Sequence, residues 1–218
     1  MAGILFIISA PSGSGKSTLV SQLRTLVEGL DFSISYTTRA PRGSEENGRE
    51  YFFTTREEFE RLVAAGDFLE WAEVFGNYYG TAVSALRHAK DLGKDLLLDI
   101  DVQGAVQVMK KMPQAVSIFI LPPSPQILEK RLKNRSAAEN VTDEAVIQNR
   151  LAGAKRELGQ VWDYKYALVN DVLENAVAEM RSIVLFERGD EGCGALAGSC
   201  RTDAASPKLK AVLDAFGE

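Results

Sequence analysis

Residues 4–19, "ILFIISAPSGSGKSTL", constrain the fold more tightly than any other stretch of this 218-residue chain. A run dominated by Ile, Leu and Phe passes without alternation into a turn of small residues, and a helix-period segment follows. An apolar run with no polar face suits a strand covered on both sides, a property of parallel sheets in α/β folds. In the turn, Gly13 and Gly15 let successive backbone N–H groups face an anion, and the helix N-terminus that follows adds a dipole favouring negative charge. Lys16 and Ser17 belong to the Gly-Lys-Ser-Thr ending of a phosphate-binding loop, the lysine reaching for β- and γ-phosphates and the hydroxyl for Mg²⁺. The first glycine of that pattern is Ala10 here, which leaves the later glycines and the cationic ending intact.

The rest of the chain keeps the same rhythm. Apolar runs at 32–36, 95–100, 115–121 and 166–170 read as further strands, and helices are expected at 16–29, 82–92, 102–111, 124–135, 143–159 and 171–187. Such alternation predicts a three-layer α/β domain around a mainly parallel sheet. Thr55 with Glu58 has the pattern of a capping box, and Ser124-Pro125 that of an N-cap followed by proline at the first helical position. Two segments break the rhythm. Residues 37–50, "TTRAPRGSEENGRE", are almost without apolar side chains, and a loop that long within a domain is usually functional or disordered. Residues 189–206, rich in Gly, Ala and Ser, are expected as a flexible linker. They lead to a short amphipathic helix that Ser206-Pro207 is placed to start and that spaces Leu209, Val212, Leu213 and Phe216 along one face.

A net charge of −5 supplies no broad positive field for nucleic acid or a membrane surface, so an anionic ligand has to be held by local clusters. No run approaches the ~18 apolar residues of a membrane span, and residues 4–8 lack the basic flank of a secretion signal. Cys193 and Cys200 are too few for a disulfide framework and lack the second pair of a zinc site; they read as free thiols in a reducing cytoplasm.

Local clusters are present. "LLLDID" ends an apolar strand in acids, where Asp99 is placed either to orient hydrated Mg²⁺ or to cap the next helix, a role that suits Asp101 better. Arg39 and Arg42, with Tyr51 beyond a Gly-containing bend, make a donor set for a second phosphate; the alternative is a solvated loop whose arginines balance Glu45, Glu46 and Glu50. Glu70 lies in an apolar strand, where a carboxylate without a partner is costly, so an arginine or a ligand should satisfy it. Lys130, Arg131, Lys133 and Arg135 crowd the end of one helix, more cations than its dipole alone explains. His88, in "LRHAK", reads as a surface residue.

Taken in order, "SAPSGSGKSTL", "SYTTRAPRGSEENGREYFF", "FLEWAEVFGNYYGT" and "LLLDIDVQG" resemble the guanylate kinase family over about residues 3–187. The resemblance implies the P-loop nucleoside monophosphate kinase fold, a central mainly parallel sheet flanked by helices. Its core would span about 1–36, 83–136 and 151–188, with a GMP-binding insertion at about 37–82 and a lid at about 137–150. The implied activity is phosphorylation of GMP to GDP by direct in-line transfer from ATP. ATP would lie on Ala10, Pro11, Ser12, Gly13, Ser14, Gly15, Lys16, Ser17, Thr18 and Arg131, with Mg²⁺ on Ser17 and, through water, Asp99. Ser35, Glu70, Thr81 and Asp101 match positions that read guanine, and Arg39, Arg42, Tyr51 and Tyr79 match those that hold the GMP phosphate. Lys16, Arg42, Arg135 and Arg150 are the implied catalytic cations, with Arg131 beside them. The implied partners are ATP and GMP, with no nucleic acid or membrane, for a monomer or homodimer in the cytoplasm. The tail from about 189 falls outside the resemblance. A related kinase of phosphorylated sugars would not need Ser35 and Glu70 as a base-reading pair, and a protein-binding scaffold of the same shape typically loses the phosphate loop, which is intact here.

Overall fold

In the computed structural model, which describes residues 3–138, 144–204 and 206–217, the apolar run at 4–9 folds as strand β1 (Leu5–Ser9), buried at every position. There follow α1 (Lys16–Leu26), β2 (Leu30–Phe32), β3 (Tyr36–Thr37), β4 (Phe52–Phe53), α2 (Arg56–Ala65), β5 (Phe68–Val74), β6 (Asn77–Ala82) and α3 (Val83–Asp91). The chain continues through β7 (Asp95–Asp99), α4 (Val102–Lys111), β8 (Val116–Leu121), α5 (Pro125–Ala138), α6 (Glu144–Leu158), β9 (Tyr166–Val169), α7 (Leu173–Glu187), α8 (Gly194–Ser199) and α9 (Pro207–Gly217). A five-stranded sheet has the order β2-β7-β1-β8-β9, with β2 parallel to β7 and β8 parallel to β9. All of β8 and Leu96, Leu97 and Leu98 of β7 are buried, as unbroken apolar runs require. A separate mixed sheet has the order β4-β3-β6-β5. This is the expected α/β class, with a small second sheet formed by strands between Tyr36 and Ala82.

The chain divides into two units, Met1–Ile7 with Gly29–Ala115 and Ile8–Glu28 with Val116–Glu218. The first contains the small sheet, β2, β7 and α2 to α4; the second contains α1, β8, β9 and α5 to α9. Of the lid expected at 137–150, residues 139–143 lie outside the described residues, and the remainder belongs to the ends of α5 and α6. Among the described residues no helix is long and apolar enough to cross a membrane.

The helix signals translate closely. Thr55 Oγ1 accepts from Glu58 N (3.2 Å), Ser124 Oγ from Ile127 N (3.3 Å) and Ser206 Oγ from Leu209 N (3.2 Å). Two expectations need correction. The run at 32–36 is not one strand. β2 pairs Leu30 with Asp95 and Phe32 with Leu97, whereas Tyr36 and Thr37 pair with Gly80 and Tyr79 in the other sheet. Local alternation is the same on both sides of the break, and only the available partners separate them. Residues 189–204, as far as this segment is described, are not a flexible linker. Their small side chains let α8 approach α7 closely, since a Cβ on Gly194 would stand 3.2 Å from the Phe186 ring. Beyond α8 the chain adds to the edge of β9, with Ala167 N donating to Cys200 O (2.8 Å) and Thr202 N to Lys165 O (3.2 Å). An open sheet edge is a liability, and the tail covers it. Leu209, Val212 and Phe216 of α9 are buried, and Leu213 is half-buried.

Candidate active site

Within the second unit, the turn between β1 and α1 holds its glycines for reasons that can be read atom by atom. Gly13 and Gly15 have φ of 89° and 87°, the left-handed region that side chains with a Cβ rarely adopt. Space is short as well. A Cβ would stand 2.9 Å from Leu128 Cδ1 at Gly13 and 2.3 Å from Asn170 Nδ2 at Gly15. Asn170 Nδ2 donates to Ser14 O (2.8 Å), and Arg131 donates to Ser14 O (3.2 Å) and to Asn170 O (3.3 Å). The loop's carbonyl is thereby tied to protein. Burial pushes the Arg131 guanidinium pKa down, against the opposing charge of Asp171. Ser14 Oγ is buried with no hydrogen-bond partner among the described residues. Lys16 is the first residue of α1 and is half-buried, while Ser17 and Thr18 are exposed on its first turn. Ala10 and Pro11 are buried, and Ser14 N donates to Pro11 O (3.1 Å), closing the turn. Arg135 Nη1 donates to Ser12 Oγ (3.3 Å), and Arg150 Nη1 to the buried Ser136 Oγ (3.0 Å). Asn170 was not among the expected residues. Its signal in the sequence is a polar residue closing the apolar "YALVN", at the carboxyl end of a parallel strand where α/β folds bind ligands.

The first unit holds the other expected residues. Glu70, 2% exposed, pairs across the ladder with Thr81, which is fully buried. A register shift between Phe68 and Glu70 marks an irregularity of the kind that re-aims a side chain. A Cβ on Gly104 would stand 2.2 Å from Glu70 Oε2, so the carboxylate lies against the first turn of α4, where the helix dipole favours its charge. Asp101 is the N-cap of that helix and accepts from Gln103 N (2.7 Å) and Gly104 N (3.2 Å). Thr81 Oγ1 is buried without a partner among the described residues. Ser35, half-buried, precedes β3, and its carbonyl accepts from Phe52 N (2.9 Å).

Arg39, Tyr51 and Tyr79 form a second group. The Arg39 guanidinium lies 5.3 Å from the Tyr51 ring centroid, and the Tyr51 and Tyr79 rings meet edge to face at 5.9 Å. Arg39 Nη2 donates to both oxygens of Glu45 (2.9 Å each), and Arg42 N donates to Glu45 Oε2 (2.8 Å). Burial opposes the Arg39 charge, but Glu45 and Tyr79 outweigh it and the pKa is raised. Burial, followed by the charge of Asp99, raises the Tyr51 phenol. Arg42 itself is exposed. Asp99 closes β7 and is half-buried.

The guanylate kinase family model matches residues 3–187. A guanylate kinase of Koribacter versatilis (strain Ellin345) is 54% identical over 226 residues, covering 99% of this chain and 97% of the relative. One from Vibrio parahaemolyticus serotype O3:K6 is 44% identical over 98% of this chain and 97% of its own. Both likenesses therefore extend into the tail. Among solved structures, guanylate kinase from Anaplasma phagocytophilum superposes with a TM-score of 0.71 at 36% identity, covering 88% of this chain and 89% of that one.

Proposed function

The chain belongs to the guanylate kinase family, and from that membership we propose how its residues carry out ATP-dependent phosphorylation of GMP to GDP. The loop from Ala10 to Thr18 receives the ATP polyphosphate. With Ser14 O tied back by Asn170 and Arg131 and Ser14 N held by Pro11 O, the remaining N–H groups of the loop face phosphate oxygens, and Lys16 neutralises the β- and γ-phosphates. Glu70 reads the acceptor base. Its carboxylate can accept from guanine N1–H and the 2-amino group, whereas adenine would turn a lone pair at N1 toward that charge. Ser35 donates to O6, and Thr81 and Asp101 complete the base contacts. Arg39, Arg42, Tyr51 and Tyr79 hold the GMP phosphate, the arginines as forks and the phenols as neutral donors.

No general base is required, because a phosphate monoester has a second pKa near ~6 and its attacking oxygen is already an anion at neutral pH. The only histidine, His88, is exposed on α3. What remains is in-line positioning and charge neutralisation, the work of Lys16, Arg42, Arg135 and Arg150. Mg²⁺ fits as an ion that arrives with the triphosphate. Among the described residues no cluster of three acidic, Cys or His side chains could hold a resident metal, while Ser17 offers an exposed hydroxyl and Asp99, through water, a carboxylate. When bound, it would neutralise phosphate charge.

The observation that carries the reading is the buried Glu70–Thr81 pair, an acceptor beside an unsatisfied hydroxyl. Measuring kcat/KM for GMP and AMP in the wild type and in Glu70→Ala tests it. A site built on such hydrogen bonds discriminates by ~10⁴–10⁵, and the variant should lose most of that preference. A wild type that uses AMP as well as GMP, or a variant that keeps the preference for GMP, would place the base reader elsewhere.

A further inference from the structure

Strand β5 is the outer strand of the small sheet, so among the described residues the backbone groups that point away from β6 have no ladder partner. Helix α4 supplies one from its side chains. Lys111 Nζ donates to Leu69 O (2.6 Å), Gln107 Nε2 to Trp71 O (2.6 Å) and Gln103 Nε2 to Glu73 O (3.4 Å), while Trp71 N donates back to Gln107 Oε1 (3.4 Å). The three helical residues are four apart and the three strand residues two apart. Four residues of helix rise about 6 Å and two of strand about 6.6 Å, so a stripe on a helix can follow a strand edge over this length. The Gln107 amide engages both the N–H and the C=O of one residue, the pattern a neighbouring strand would make.

The residue between the two tightest contacts is Glu70. Lys111 grips the backbone just before it and Gln107 the backbone just after it. One turn earlier on the same helix, Gly104 leaves the room in which the carboxylate lies, and Asp101 caps the helix end beneath it. We propose that Gln107 and Lys111 are positioning residues for guanine recognition, setting the register of β5 on α4 and so the place of the Glu70 carboxylate. The inference rests on Glu70 as the base reader.

Its test compares equilibrium dissociation constants for GMP and for IMP, the same nucleotide without the 2-amino group, in the wild type and in Gln107→Leu, Lys111→Met, Lys111→Arg and Glu70→Ala. The preference for GMP over IMP should collapse in Glu70→Ala. It should fall on the order of tenfold in Gln107→Leu and Lys111→Met through weaker GMP binding, and persist in Lys111→Arg, which keeps a donor. A purely structural role would weaken both nucleotides alike and leave the ratio unmoved. An unchanged ratio in Gln107→Leu and Lys111→Met, with collapse in Glu70→Ala, overturns the positioning role and leaves Glu70 as reader. An unchanged ratio in Glu70→Ala overturns both. The two variants grip different residues, so either one alone decides the matter if the other melts below the assay temperature.

Discussion

The loop proposed for phosphate and the residues proposed for the acceptor are built from different material. In the loop the working groups besides the Lys16 side chain are backbone: two left-handed glycines, a carbonyl held by Asn170 and Arg131, and a helix N-terminus, all between Ala10 and Lys16. In the first unit the working groups are side chains drawn from β3, β5, β6 and the start of α4, spread from Ser35 to Asp101. A backbone site tolerates little change of conformation and reads only phosphate. A side-chain site can read a base edge, and each atom in it can be removed singly.

The largest expected effect tests whether the two can be separated. Lys16→Met should lower kcat by ~10²–10³, the usual loss for one electrostatic stabiliser, while the dissociation constant for GMP stays within about twofold. A matching fall in GMP affinity would show that the sites are not independent. Arg39→Lys comes next. A lysine offers one nitrogen where Arg39 uses two, Nη2 on both oxygens of Glu45 and Nη1 on Ala40 O (2.7 Å), and it lacks the planar guanidinium that lies 5.3 Å from the Tyr51 ring centroid, so GMP binding should weaken by ~10–100-fold. IMP should weaken equally, because Arg39 is assigned to the phosphate and not to the base. Unequal loss, read by calorimetric titration of both nucleotides, would mean that phosphate and base contacts are coupled.

Gly15→Ala probes the backbone site by a smaller step. The left-handed φ and the 2.3 Å approach to Asn170 Nδ2 together should cost ~1–3 kcal/mol, seen as a lower melting temperature and about tenfold weaker ATP binding. The double variant Gly15→Ala with Asn170→Ala removes the clash but not the φ strain. It should recover part of the stability and little of the ATP affinity, since Asn170 also holds Ser14 O. Full recovery of affinity would show that the asparagine serves packing alone.

The same contrast explains what could be read in advance. The loop lies in one contiguous stretch between a strand and a helix, and the caps at Thr55, Ser124 and Ser206 are local hydrogen bonds, so both were legible. Glu70 drew notice as a carboxylate in apolar company, but nothing in the sequence shows that Gly104 makes room for it, because the two meet only through tertiary packing. Asn170 escaped for the same reason: its partner is 156 residues away. The break between β2 and β3 was hidden by a continuous pattern whose two ends find different sheets. Residues 189–206 misled through composition, since the glycines and alanines that suggest a linker also permit the close approach of α8 to α7.

Thr81→Val is the smallest change and the one that best sharpens the comparison. The hydroxyl is fully buried and no described residue compensates its desolvation. Replacing it by a methyl of similar volume keeps the β-branched shape that suits β6 and removes that cost, which should hold or raise the stability by up to ~1 kcal/mol. If the hydroxyl serves the guanine, GMP binding should weaken by about fivefold, the worth of one neutral hydrogen bond, with ATP binding unchanged. Thermal melting and GMP titration would then move in opposite directions, a signature of a group kept for the ligand at the expense of the fold. A variant that loses stability and binds GMP as before would instead make Thr81 a structural residue, with its hydroxyl satisfied by water, and the base contacts would rest on Glu70, Ser35 and Asp101.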